Sequence, residues 1–147
     1  MISLPSLITF LHLIGLSLAV GAATVKLVLL IKCRSNSELV QVFIKVVKPI
    51  TKLIITGLIL LTLSGVGWLL MGYSFTTLLI IKLIFVASIW ILGPVIDKVI
   101  EPKFLKLAPV SGQQASAEFA AALNKYLGLE IIATGFFYVI IIIWVLI

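Results

Sequence analysis

The chain has 147 residues, of which 63% are hydrophobic and 11% charged, with a mean hydropathy of +1.36. Soluble domains carry charge on about a quarter of their residues, so this composition excludes one and defines an all-α or β-barrel membrane protein. The net charge of +6 lies beside apolar runs rather than along a polar face, which excludes a nucleic-acid surface and assigns the basic residues to membrane orientation.

A spanning helix takes about 20 residues, so residues 1–147 have room for one compact transmembrane domain. The first apolar run covers about residues 4–31. The sequence after it, "LIKCRSN", is basic where a signal peptidase would need small residues, so the run is expected to remain as a helix. It contains His12 and Lys26. On an ideal helix Gly15, Ala19, Ala23 and Lys26 fall within about 60° of His12. Small residues on one face serve either a close helix contact or the space beside a flat macrocycle, and the stripe alone does not choose between them. Cys33 has no second cysteine to pair with and no neighbour at metal-ligand spacing; acylation at the membrane edge is its one chemical option.

The second run covers about residues 49–71, with Pro49 suited to a first helical turn and "MGYS" as its stop. The preceding "SNSELVQVFIKVVK" reads as a cytoplasmic extension interrupted at that proline. Gly57, Leu61, Ser64 and Trp68 share a face, and Ser64 lies near the depth of His12. It either joins the histidine at a site or bonds to its own helix. The third run, about residues 75–95, carries Lys82 and is expected to end near "GPVIDK", where Gly93 and Pro94 weaken a helix.

A polar loop follows through "EPKFLKLAPVSGQQ", and from Ser116 the pattern turns helical and leads into a fourth run over about residues 127–147. On it Thr134, Phe137 and Tyr138 are candidates for the interior. Trp68, Tyr73 and Trp144 fit an aromatic belt, whereas Trp90 lies deeper. These runs are too long and continuous for barrel strands, so the expected fold is an all-α, up-and-down bundle of four transmembrane helices. Lysine and arginine concentrate between runs one and two and between runs three and four, which puts both termini outside and makes this a multi-pass protein of a cell inner membrane.

Charged groups inside spans cost roughly 2.5 to 3.5 kcal/mol each and therefore face an interior or a cavity. His12 and Lys82 each lie about six residues, or about 9 Å, below the outer edge on parallel helices, so both are placed to share one cavity. Lys26 lies about 21 Å further along the first helix. It is expected to be an edge residue that snorkels or pairs with Glu130 or Asp97, with Lys48 and Lys52 as competing partners. His12 is open to three roles: a hydrogen-bonded neutral side chain, an axial haem or other metal ligand, or a proton-handling group.

The segments "FLHLIGLSLAVGAA", "KPITKLIITGLILLTLSG" and "TTLLIIKLIFVASIWILGPVI" together resemble membrane proteins related to HemJ-type protoporphyrinogen oxidase, the membrane domain of CopD copper-resistance proteins and their uncharacterised relatives. The resemblance covers about two-thirds of the chain. It implies a haem b with His12 as ligand and Lys82 as its partner group; Gly15 and Ala19, from the face of the first run, and Ser64, from its depth, are the further candidates for contact with it. Three functions are therefore carried forward: haem-linked electron transfer or redox chemistry, a non-catalytic subunit of a larger membrane complex, and a small transporter or proton-handling component. Beyond the lipid bilayer, the expected partners are further copies of the chain or other membrane subunits.

Overall fold

The computed structural model describes residues 3–110 and 114–146. Each of the four long helices begins where a short polar side chain satisfies an amide that has no partner within the helix. Ser3 Oγ accepts from the Ser6 amide at 3.3 Å and Pro5 occupies the first turn, which starts α1 (Leu4–Cys33). Asn36 Oδ1 accepts from the Glu38 amide at 2.9 Å and starts α2 (Ser37–Leu70). Gly72 then adopts a φ of 87°, a left-handed conformation open to glycine, and the chain reverses. Thr76 caps α3 (Thr77–Val95), which runs without a break into a π-helical turn (Ile96–Ile100) and α4 (Glu101–Leu107). Ser116 caps α5 (Ala117–Leu146) through the Phe119 amide, as the sequence pattern there implies.

Four helices are thus long and apolar enough to cross a membrane, the third being the continuous stretch Thr77–Leu107, and there is no strand among the described residues. Leu70, Phe75, Ile91 and Val145 are each at least 70% exposed, an apolar exterior that only lipid would cover at low cost. The fold class is that of a multi-pass membrane protein.

The helix bounds depart from the sequence expectation at two prolines. Pro49 lies inside α2 and does not interrupt it. Its ring removes the donor to the Lys45 carbonyl, and because both positions are exposed that carbonyl has other means of satisfaction. Pro94 does not end α3 either. The helix absorbs it by widening into the π-helical turn and continues to Leu107, so the first part of the expected loop, from Glu101, is helical. The rest of that loop includes residues 111–113, which lie outside the described residues, as does Ile147 at the expected end of the last span.

Neighbouring helices run antiparallel. Along α1 and α2, Ile8 meets Gly67, His12 meets Ser64, and Gly15 meets Gly57 and Leu61, one series rising as the other falls. A Cβ on Gly15 would lie 2.9 Å from the Gly57 carbonyl oxygen and 2.9 Å from the Leu61 amide nitrogen, and one on Gly57 would overlap the Ala19 backbone. The small-residue stripe is therefore a close helix contact. α5 packs against both α1 and α3, while α3 reaches α2 through the Trp90 indole, which donates to Thr62 Oγ1 at 3.1 Å.

Two apolar cores result. One, at mid-bundle, contains Ala19, Ala23, Leu58, Ile89 and Phe137. The larger lies at the end that bears the basic loops, where Phe43, Phe104, Phe119 and Tyr126 stack edge to face or tilted with ring centroids 5.2–6.0 Å apart. Cys33 is buried in this second core, which removes it as an exposed acylation site.

Gly57→Ala tests the α1–α2 contact, with Gly65→Ala as its control because nothing lies within 4 Å of a Cβ there. Overpacking should cost about 1–3 kcal/mol at Gly57, whereas Gly65→Ala should be neutral or stabilising. Helix melting of the detergent-purified protein reads both, and equal melting temperatures would show that the backbones do not touch at this point.

Candidate functional site

Lys26 belongs to the apolar face of α1, between Ala23 of the mid-bundle core and Leu30 of the inner core. It pairs with Glu130 and Asp97 as expected and does not snorkel. It is 2% exposed, because Leu30 and the aromatic rings beyond it fill the path along which a lysine would snorkel. The ammonium is instead ringed by carboxylates, with Glu130 Oε1 at 2.6 Å, Glu101 Oε2 at 3.4 Å and Asp97 Oδ1 at 3.6 Å. The Tyr126 ring lies 5.3 Å below it, and the Tyr126 hydroxyl donates to Glu101 Oε2 at 2.7 Å.

Helix geometry explains how these residues converge. Tyr126 and Glu130 are four apart on α5 and so share a face. Asp97 and Glu101 are also four apart, across a π-helical turn that holds more residues than an α turn and brings the two nearly into line. The cluster therefore joins α1, α5 and the far end of the third membrane helix. Lys48 and Lys52, weighed as competing partners, remain exposed on α2. Pairing of Lys26 with Glu130 and Asp97 was legible from depth. Glu101 was not, because Pro94 read as a helix stop and put residue 101 in a loop.

A cavity of about 130 Å³ adjoins the cluster. It lies between α2 and α3, with Thr51 on one wall and Trp90, Gly93 and Pro94 on the other, and Lys26, Glu130 and Thr134 at its base. The Oγ1 atoms of Thr51 and Thr134 are buried and have no hydrogen-bond partner. By contrast Thr9, Thr24 and Thr62 each bond the carbonyl four residues back at 2.7–2.9 Å, the usual way in which a helical threonine is satisfied.

The residues named from the sequence occupy a different region. His12 Nδ1 and Ser64 Oγ are 2.8 Å apart, and Ser64 also donates toward its own helix at Leu60 and Leu61, so both readings of Ser64 hold together. Lys82 is half-buried on α3 and near enough to His12 for the two charges to interact, while the hydrogen bond that His12 makes is to Ser64 on α2. Gly15 and Ala19 face the α2 backbone at contact distance. That contact leaves no space for a flat macrocycle between Gly15 and the α2 backbone. Among the described residues no three His, Cys, Asp or Glu side chains form a group that could hold a metal ion. Of the α5 candidates, Thr134 and Phe137 are buried, and the more exposed Tyr138 hydroxyl lies 2.9 Å from Thr24 Oγ1.

This is an all-α, multi-pass membrane protein with a charged cluster enclosed between two apolar cores. No family model, curated protein or solved structure matches the chain.

Lys26→Met removes the one cation from three carboxylates, two of them buried, and should destabilise the protein by about 3–5 kcal/mol, the usual effect of orphaning a buried charge. Adding Glu130→Gln should recover part of that loss, since it removes one of the orphaned groups. Unfolding in detergent measures both, and an unchanged melting temperature for Lys26→Met would dissociate the lysine from the carboxylates.

Proposed function

We propose that this protein handles protons within the membrane, as a small transporter or the proton-carrying component of one, through the Lys26 cluster. The observation that supports it is a charge mismatch: three carboxylates surround a single ammonium at a site closed by aromatic rings. A purely structural staple between helices needs one carboxylate for one lysine. The surplus here favours proton uptake, because low-dielectric surroundings penalise every uncompensated charge and protons restore neutrality without a change in packing.

Within this reading Glu130 is the proton-carrying carboxylate, its ion pair with Lys26 weakening when it is protonated. Lys26 supplies the fixed positive charge, and the Tyr126 hydroxyl holds Glu101 in place. The basic loops favour a cytoplasmic location for the aromatic end and an outward location for both termini in an inner membrane. The mere-subunit alternative shares the fold and differs in requiring no proton flux. The haem reading would use the second ring nitrogen of His12, which Ser64 does not engage.

In proteoliposomes loaded with a pH-sensitive dye and energised by a potassium diffusion potential, the wild-type chain should move protons faster than empty vesicles. Glu130→Gln should reduce the rate at least about tenfold, the effect of about 1.4 kcal/mol on a barrier, while His12→Ala keeps it. A rate in Glu130→Gln equal to wild type overturns the proposal, and a Soret band lost in His12→Ala would move the function to redox chemistry.

A further inference from the structure

We infer that the cavity between α2, α3 and α5 takes part of one acyl chain of an anionic phospholipid from the leaflet at the basic-loop end, with the lipid phosphate on Lys48, Lys52 and Lys98. Such a site is independent of proton movement through Lys26 and Glu130, which lie at the base of the cavity.

The lining calls for an apolar ligand. Ile54 and Leu58 from α2, Ile89 from α3, and Ala133 and Phe137 from α5 form most of the walls. An apolar cavity stays dry, and one of about 150 Å³ takes a molecule the size of benzene. The volume here is about 130 Å³, room for several methylene groups. Left empty, it would forfeit dispersion contacts on every wall.

The cavity is reached from the side. Close backbone contact joins α1 to α2, and α3 packs on α5, whereas no such seam joins α2 to α3. Ile55 and Trp90 line the cavity and are nonetheless 42% and 38% exposed, so its wall is continuous with the lipid-facing surface. Lipid chains are the apolar groups present on that surface.

Depth selects the leaflet. Counted from the far ends of the helices, Leu70 and Thr77, the cavity extends from Leu58 to Thr51 on α2 and from Ile89 to Asp97 on the third membrane helix. Both intervals lie about 18–30 Å along at 1.5 Å per residue. In a hydrocarbon core about 30 Å thick this is the acyl region of the leaflet at the basic-loop end.

Charge selects the headgroup. On the same count Lys48, Lys52 and Lys98 lie at about 27–33 Å, level with the phosphates. Lys48 is seven residues before Ile55 and so shares its face two turns further on, Lys52 adjoins Thr51, and Lys98 follows Asp97. All three lysines are exposed, and none makes an ion pair among the described residues. The carboxylate at this edge, Asp97, is engaged by Lys26. Basic side chains at a membrane surface attract anionic lipid, and these three surround the mouth of an apolar cavity.

Trp90 is on the cavity wall and reports occupancy. The full chain carrying Trp68→Phe and Trp144→Phe, reconstituted in phosphatidylcholine bilayers, is titrated with phosphatidylglycerol or phosphatidylcholine brominated on the acyl chain. Quenching of Trp90 by the phosphatidylglycerol should saturate, with its midpoint at a mole fraction at least about tenfold lower than for the phosphatidylcholine. Lys48→Gln with Lys52→Gln should remove most of that preference, at roughly fivefold for each lysine. Gly93→Leu should abolish the saturable quenching by filling the cavity, since a Cβ on Gly93 meets nothing within 4 Å. Helix melting checks that variant. If it does not fold, the lysine variants, altered only at exposed positions, decide.

Equal quenching by the two phospholipids, saturable quenching unchanged in a folded Gly93→Leu, or a preference unchanged in the double lysine variant overturns the inference. So does equal competition by a brominated fatty acid, which has the chain but no phosphate.

Discussion

The ammonium of Lys26 is the constraint around which the bundle is arranged. A lysine that is 2% exposed must be compensated on every side, and its partners come from α5, the π-helical turn and α4. Each partner sets the rotation of its own helix. Glu130 turns the Thr134 and Phe137 face of α5 inward, and Asp97 with Glu101 requires the third membrane helix to continue past Pro94. The π-helical turn lies just after the proline and carries Asp97, four residues before Glu101. Without the lysine, neither feature would have an evident purpose.

The α1–α2 pair has a different basis. Gly15, Ala19 and Gly57 let two backbones touch, and the bond between His12 and Ser64 fixes their register near the far end. Such a contact depends on dispersion between closely fitted surfaces, which lipid cannot reproduce with its own tails. The α2–α3 side has no comparable seam. Its evident polar link is the Trp90–Thr62 bond, and the cavity lies just beyond it toward the charged cluster. One side of the bundle is thus held by backbone contact, and the opposite side leaves space beside ionisable groups.

The fold was largely legible in the sequence because hydrophobic length alone decides how often a chain crosses a bilayer. Caps at Asn36, Thr76 and Ser116 are local signals as well. Pro49 and Pro94 were misleading, since proline predicts a lost hydrogen bond but not whether the surroundings tolerate the loss. The site was legible only by depth. Position along a helix put Lys26 level with Glu130 and Asp97, yet it carried no information about the aromatic rings that close the space between them and the basic loops. Those rings come from Phe43, Phe104 and Phe119, on segments far apart in sequence, and only tertiary packing brings them together. His12 attracted notice as the lone histidine, and its environment proves to be a helix seam. The unpartnered state of Thr51 and Thr134 has no sequence signature, since most helical threonines bond their own backbone.

Unequal burial within the cluster gives it a direction. The side chains of Lys26, Glu101 and Glu130 are 2%, 7% and 5% exposed, whereas that of Asp97 is 23% exposed. The aromatic core closes the direct route from the basic loops to Glu130, so Asp97 is the member of the cluster nearest the surface. It is also a cavity wall and lies on the π-helical turn that follows Pro94. A carboxylate in that position communicates with the enclosed pair on one side and the exterior on the other. Because its distance to Lys26, at 3.6 Å, is the longest of the three, it is the weakest hold on the ammonium and the easiest to exchange. Glu130, at 2.6 Å and enclosed, is the tightest. On the proton-handling proposal, a cluster graded in this way would pass charge inward from a loosely held group to a firmly held one, an order that a symmetric ion pair would lack.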